Sequence, residues 1–120
     1  GGRGADVIYD PVGGDVFDES LRCIAFNGRI LSIGFASGRQ PVLPVNIALI
    51  KGFSVMGVRA GEYGRQFPQK GAENIAAIWA MADQMKPRVD QEYPLSDWRA
   101  AFDSLAARKV VGKTIVRPDL

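Results

Sequence analysis

The feature that most constrains this chain is an alternation of short β-branched runs and helical stretches, with glycine or proline at each junction. "ADVIY", Ala5 to Tyr9, reads as a buried strand bounded by turn residues. Asp10-Pro11-Val12-Gly13-Gly14 breaks it. Asp15 to Phe26 places Phe17, Leu21 and Ile24 on one helical face, and Asn27-Gly28 supplies residues that tolerate a left-handed cap. Arg29 to Ile33, "RILSI", and Phe53 to Val58, "FSVMGV", predict the second and third strands. Strand, helix, strand in succession predicts an α/β fold, with a parallel sheet joined by right-handed crossovers.

Between the second and third strands, Pro44 limits any helix to Val45 to Ile50. Arg59 to Gly64 reads as a flexible loop, and Gly71 to Met85 as a helix stopped by Pro87, with Ile75, Ile78, Trp79, Ala82 and Met85 on one stripe. Val89 to Tyr93 predicts a short strand and Ser96 an N-cap with Asp97 in the first turn. The helix that follows carries Trp98, Phe102 and Leu105 on one side, and Thr114 to Arg117 is a last strand. Three parallel strands make a narrow sheet with unpaired edges, which calls for neighbours from a further segment or from a second copy.

Composition removes several functional classes. The 120 residues are 47% hydrophobic and 23% charged, ordinary values for a globular domain. The net charge of +2 comes from scattered basic residues, which give no nucleic-acid stripe. No apolar run approaches the roughly 20 residues that span a bilayer. The first residues lack the apolar core of a signal peptide and the chain does not start with methionine, so the expectation is a processed product, a fragment or an excerpt. There is no histidine, and Cys23 is the only cysteine. That rules out Ser-His-Asp and Cys-His nucleophile systems and any zinc site built mainly from Cys and His of this chain alone. A single cysteine permits no internal disulfide and fits a reducing cytoplasm. Inside a helix, Cys23 reads as a structural thiol.

Chemistry is expected at the carboxyl ends of the strands, where doubly wound sheets bind ligands. Those ends are Asp10-Pro11-Val12-Gly13, Gly34-Phe35-Ala36 and Val58-Arg59-Ala60. Val12, Ile33, Phe35 and Val58 suit the apolar wall of a nicotinamide, and backbone groups there suit a carboxamide. The same glycines are equally explained as tight βα turns. Asp10 is either a catalytic acid or base, or a cap of the turn. Lys113 and Arg59 are either phosphate ligands or solvated surface charges, and Tyr63 and Tyr93 are potential proton donors. Trp79 and Trp98 fit core packing.

The stretches "GADVIYDPVGGDVFDESLRCIAFNGRILSIGFASG", "ALIKGFSVMGVRAGEY" and "YPLSDWRAAFDSLAARKVVGKTIVRP" together resemble the C-terminal portion of quinone oxidoreductases. These are the zinc-free, zeta-crystallin-like branch of the medium-chain dehydrogenase/reductase superfamily. The resemblance covers essentially the whole chain. It implies the second half of a Rossmann sheet over residues 1–86, and over 87–120 a strand-helix-strand tail that returns to the catalytic domain. It implies that the glycine-rich phosphate loop lies upstream. It places Pro11, Val12 and Gly13 beside the nicotinamide ribose, Ile33, Gly34 and Phe35 at the carboxamide, Val58 and Arg59 near the nicotinamide, and Lys113 near the cofactor phosphates. The implied cofactor is NADPH, with NADH as the other candidate, and the implied substrate a quinone or conjugated enone. No catalytic side chain and no metal ligand is implied in this chain. The implied partner is a second copy, paired through Phe53 to Val58, with no nucleic acid and no membrane. As an isolated chain, a non-enzymatic folding and dimerisation module is the competing expectation.

Overall fold

The computed structural model describes residues 2–118, and the chain divides into two units, Gly1–Gln69 and Lys70–Leu120. The first holds β1 (Ala5–Asp10), α1 (Gly14–Cys23), β2 (Ile24–Ser32), α2 (Val45–Lys51), β3 (Ser54–Gly57) and α3 (Ala60–Gln66). Helix α4 (Pro68–Ala80) begins at the end of the first unit and runs into the second. The second holds β4 (Val89–Pro94), a single 3-10 turn (Leu95–Asp97), α5 (Trp98–Ala106) and β5 (Lys113–Arg117).

The expected α/β architecture is present. The first sheet has the order β1-β2-β3, with both pairings parallel. Ile8 lies opposite Ile30 and Ile30 opposite Val55, so one apolar row crosses the sheet. Phe17 of α1, Ile24 and Ile30 of β2, and Phe53 before β3 form the buried centre, with Leu21, Ile47 and Val55 packed against it. Phe17 and Ile30 are fully enclosed, the burial that drives a sheet and a helix together. In the second unit β4 and β5 pair in parallel, and the buried Ala101 of α5 marks the helix face turned inward.

Several boundaries differ from expectation for identifiable reasons. Helix α1 ends at Cys23, not Phe26, because Ile24 pairs with Ala5 across the sheet. Asn27 does take a left-handed conformation (φ 60°), but as a kink inside β2, where its amide donates to the Gly52 carbonyl at 2.6 Å. That kink accounts for the register shift between Ala5–Ile24 and Val7–Arg29. The expected loop at 59–64 is mostly helix α3, supported by Glu62–Arg65 and Glu62–Gln66 hydrogen bonds and by the Tyr63–Phe67 ring contact. These local i,i+3 and i,i+4 pairs offset its two glycines.

Helix α4 starts at Pro68, a residue preorganised for a first turn, and gives way to turns from Met81, short of Met85. The cap position of α5 is Asp97, with no side-chain cap bond, because Leu95–Asp97 forms a 3-10 turn and Ser96 lies inside it. Trp79 and Trp98 are exposed and so do not serve as core residues; Trp98 instead meets Phe102 edge-on. Cys23 is exposed at the end of α1. Phe53 lies in the core of its own chain and offers little to a partner strand.

Candidate functional site

Asp10 closes β1 and is buried. Its Oδ1 accepts the amides of Val12 and Gly13, each at 2.9 Å. The carboxylate therefore caps the turn after the strand, which decides between the two readings of this residue in favour of structure. The turn ends on Gly13, at φ 66° and ψ −154°, a conformation essentially reserved for glycine.

The loop after β2 is stitched to this turn. The Ile33 amide donates to the Asp10 carbonyl (2.9 Å), Ala36 to Pro11 (3.2 Å) and Ser37 to Val12 (3.0 Å). Farther along, Arg39 reaches α1 and donates to Asp18 (2.6 Å) and Asp15 (2.8 Å). Those hydrogen bonds, Asp18's first, raise the Arg39 pKa from its ordinary value. The loop after β3 joins through the Val58 amide, which donates to the Ser32 carbonyl at 3.0 Å. Among the described residues, the amides of Gly34 and Phe35 have no backbone partner.

These ends enclose a cleft of about 380 Å³, lined by Tyr9, Ile33, Val58, Arg59, Ala60, Gly61, Glu62 and Arg65. Of the nine residues singled out in the sequence, Ile33, Val58 and Arg59 line it directly. Pro11, Val12, Gly13, Gly34 and Phe35 form the adjoining stitched loops; the Pro11 carbonyl lies 3.3 Å from where a Gly34 Cβ would stand. Lys113 lies in the second unit, exposed at the start of β5, its amide donating to the Arg88 carbonyl at 2.8 Å.

Tyr9, Glu62 and Arg65 were missed. Tyr9 was legible from alternation: with Asp10 turned inward, its neighbour faces the other side. Glu62 and Arg65 needed the helix at 60–66, which the glycines concealed. Glu62 accepts from Arg65 and Gln66 at 2.9 Å each and faces Arg59 at 3.8 Å. The hydrogen bonds from Gln66 and Arg65 hold its carboxyl below the ordinary value, against a smaller opposing effect of desolvation.

The cleft suits a flat heteroaromatic ring. Ile33 and Val58 offer an apolar wall, and the unpartnered Gly34 and Phe35 amides offer donors nearby. Gly57 and Gly61 have open space where a side chain would stand. No metal centre is assembled: among the described residues no group of three or more His, Cys, Asp or Glu could hold an ion. No helix among them is long and apolar enough to cross a membrane.

The model of a family described as zinc-binding dehydrogenase matches residues 1–116. A quinone oxidoreductase-like protein 2 homolog from Nematostella vectensis is 37% identical over 96% of this chain and 32% of its own length. A crystal structure of Pseudomonas syringae quinone oxidoreductase is 30% identical with a TM-score of 0.76, over 98% of this chain and 37% of that one. The Escherichia coli quinone oxidoreductase complexed with NADPH gives a TM-score of 0.82 at 27% identity, over 98% and 37%. The chain thus spans about a third of the length of the curated relatives it matches.

Proposed function

The chain belongs to the zinc-binding dehydrogenase family, and from that premise we propose that it is the nicotinamide-side portion of an NADPH-dependent oxidoreductase acting on quinones or conjugated enones. The observation that carries this reading is the cleft at the carboxyl ends of β1, β2 and β3, with Ile33 and Val58 in its lining and the unpartnered Gly34 and Phe35 amides in the adjoining loop. NADPH is favoured over NADH because related structures of 27% and 31% identity are described as NADPH complexes.

When bound, the reduced nicotinamide supplies a hydride to an electron-poor carbon. This chain's own contribution is orientation and exclusion of water. Gly34 and Phe35 donate amides to the carboxamide, while Ile33 and Val58 back the ring. Pro11, Val12 and Gly13 stand beside the ribose, held there by Asp10. Arg59 borders the reacting end, and Lys113 of the tail serves the phosphates. No side chain is assigned as the proton donor.

Residues 1–86 form the second half of the cofactor domain in this reading, and 87–120 return to a catalytic domain encoded elsewhere in the same polypeptide. The protein is cytoplasmic and dimeric, with β3 pairing to its counterpart. The residues present do not fit the zinc of the family's description: there is no histidine and only one cysteine. The 120 residues alone form an inactive folding module. The test is NADPH oxidation with 1,2-naphthoquinone by the full-length protein and by this chain, before and after chelation. Turnover by the full-length protein alone, undiminished by chelator, supports the reading. No turnover by either, or loss on chelation, contradicts it.

A further inference from the structure

The rim of the cleft formed by α3 has an unequal charge balance that the hydride chemistry alone does not require. Two guanidinium groups, Arg59 and Arg65, share it with one carboxylate, Glu62. Glu62 is committed to Arg65 and Gln66 by hydrogen bonds of 2.9 Å. Arg59 lies 3.8 Å from Glu62, beyond hydrogen-bond reach, and its side chain is 79% exposed. Its planar donors have no hydrogen-bond acceptor among the described residues, and one positive charge of the rim is left over. The same cleft is lined by Ile33, Val58 and Tyr9. A cleft whose lining joins apolar side chains to an uncommitted guanidinium fits a flat ring that carries an anionic substituent.

Resting on the reading of this cleft as the nicotinamide end, we infer that the acceptor is an anionic one, bearing a carboxylate or sulfonate beside its reducible carbonyl, and that Arg59 receives that charge. Glu62 tunes the interaction by drawing on the same guanidinium, and Arg65 keeps Glu62 occupied. The anion belongs to the acceptor and not to the cofactor's phosphates because Arg59 directly follows Val58, which backs the ring.

The test compares kcat/KM for 1,2-naphthoquinone-4-sulfonate and neutral 1,2-naphthoquinone, with NADPH, in the full-length protein. The sulfonate is preferred by the unaltered enzyme, the more so at low salt. In Arg59→Gln the sulfonate-to-neutral ratio falls about tenfold, as expected for a lost hydrogen bond to a charged group, mainly through KM. In Glu62→Gln the ratio rises severalfold, since the competing carboxylate is gone. A merely structural role would move both variants the same way. A neutral quinone turned over with a ratio unmoved by Arg59→Gln overturns the inference. So does an equal loss for both quinones with a raised KM for NADPH, which would give Arg59 to the cofactor. Failure to turn over either quinone would remove the oxidoreductase reading and this inference with it.

Discussion

Asp10 Oδ1 accepts the amide of Gly13 at 2.9 Å, and through that bond a buried carboxylate fixes the turn to which the loop after β2 is stitched. The same oxygen takes the Val12 amide. Replacing Asp10 by Ala leaves two amides without their acceptor and is expected to cost about 2–4 kcal/mol, on the order of two such bonds. Asp10→Asn keeps an acceptor oxygen and is expected to retain most of the stability. Urea midpoints of the three proteins check this. Equal loss in Ala and Asn variants would contradict the capping role.

Gly13 combines φ 66° with ψ −154°. A Cβ there would stand 3.1 Å from the Arg39 carbonyl and 3.2 Å from a Phe35 ring carbon. Gly13→Ala therefore meets both an unfavourable backbone and a crowded site, with an expected loss of about 1–3 kcal/mol. Its displacement of the Phe35 loop is expected to raise KM for NADPH more than it lowers kcat. A variant as stable as the parent would show that the turn adopts another conformation.

Glu62 gives a pH signature. Its carboxyl is held below the ordinary value of 4.5 by Gln66 and then Arg65. A lowered folded-state pKa contributes stability that is present above the unfolded value and is lost as pH falls through the folded one. The stability difference between the unaltered protein and Glu62→Gln is thus expected to be full at neutral pH and to close in acid, below about pH 4.5. Thermal melts across that range check it. A difference constant with pH would mean that the carboxylate's charge is not involved.

Strand β3 is the outer strand of its sheet and carries Met56 with 46% exposure. If dimers form by pairing β3 with its counterpart, a charge at this edge should prevent it. Met56→Lys is expected to halve the sedimentation mass without unfolding the chain. An unchanged dimer would place the interface elsewhere.

The strand order and the capping carboxylate were legible because each depends on local chemistry. Val7 and Ile8 sit in a β-branched run, and Asp10 precedes a proline-glycine turn. What was not legible depends on partners distant in sequence. Ile24 keeps helical spacing with Phe17 and Leu21, yet its pairing with Ala5 draws it into β2. Gly61 and Gly64 argued for a loop, while Glu62, Arg65 and Gln66 support one another only once the helix exists. The cleft was half-read for the same reason: Ile33, Val58 and Arg59 follow from strand ends, but the acidic and basic rim of α3 required the helix. Trp79 carries an apolar stripe that helical periodicity alone assigns to a core, and its exposure of 73% shows that periodicity names a face without naming what covers it.

The most direct measurement is an amide NMR titration of this chain with reduced nicotinamide mononucleotide, which carries the ring, ribose and one phosphate but no adenosine. Shifts centred on Ile33, Gly34, Phe35, Val58 and Arg59, and weakened in Gly13→Ala, are the predicted result. A folded chain whose strand-end amides stay unmoved at saturating ligand, or whose shifts lie elsewhere, would contradict the assignment of this cleft to the nicotinamide.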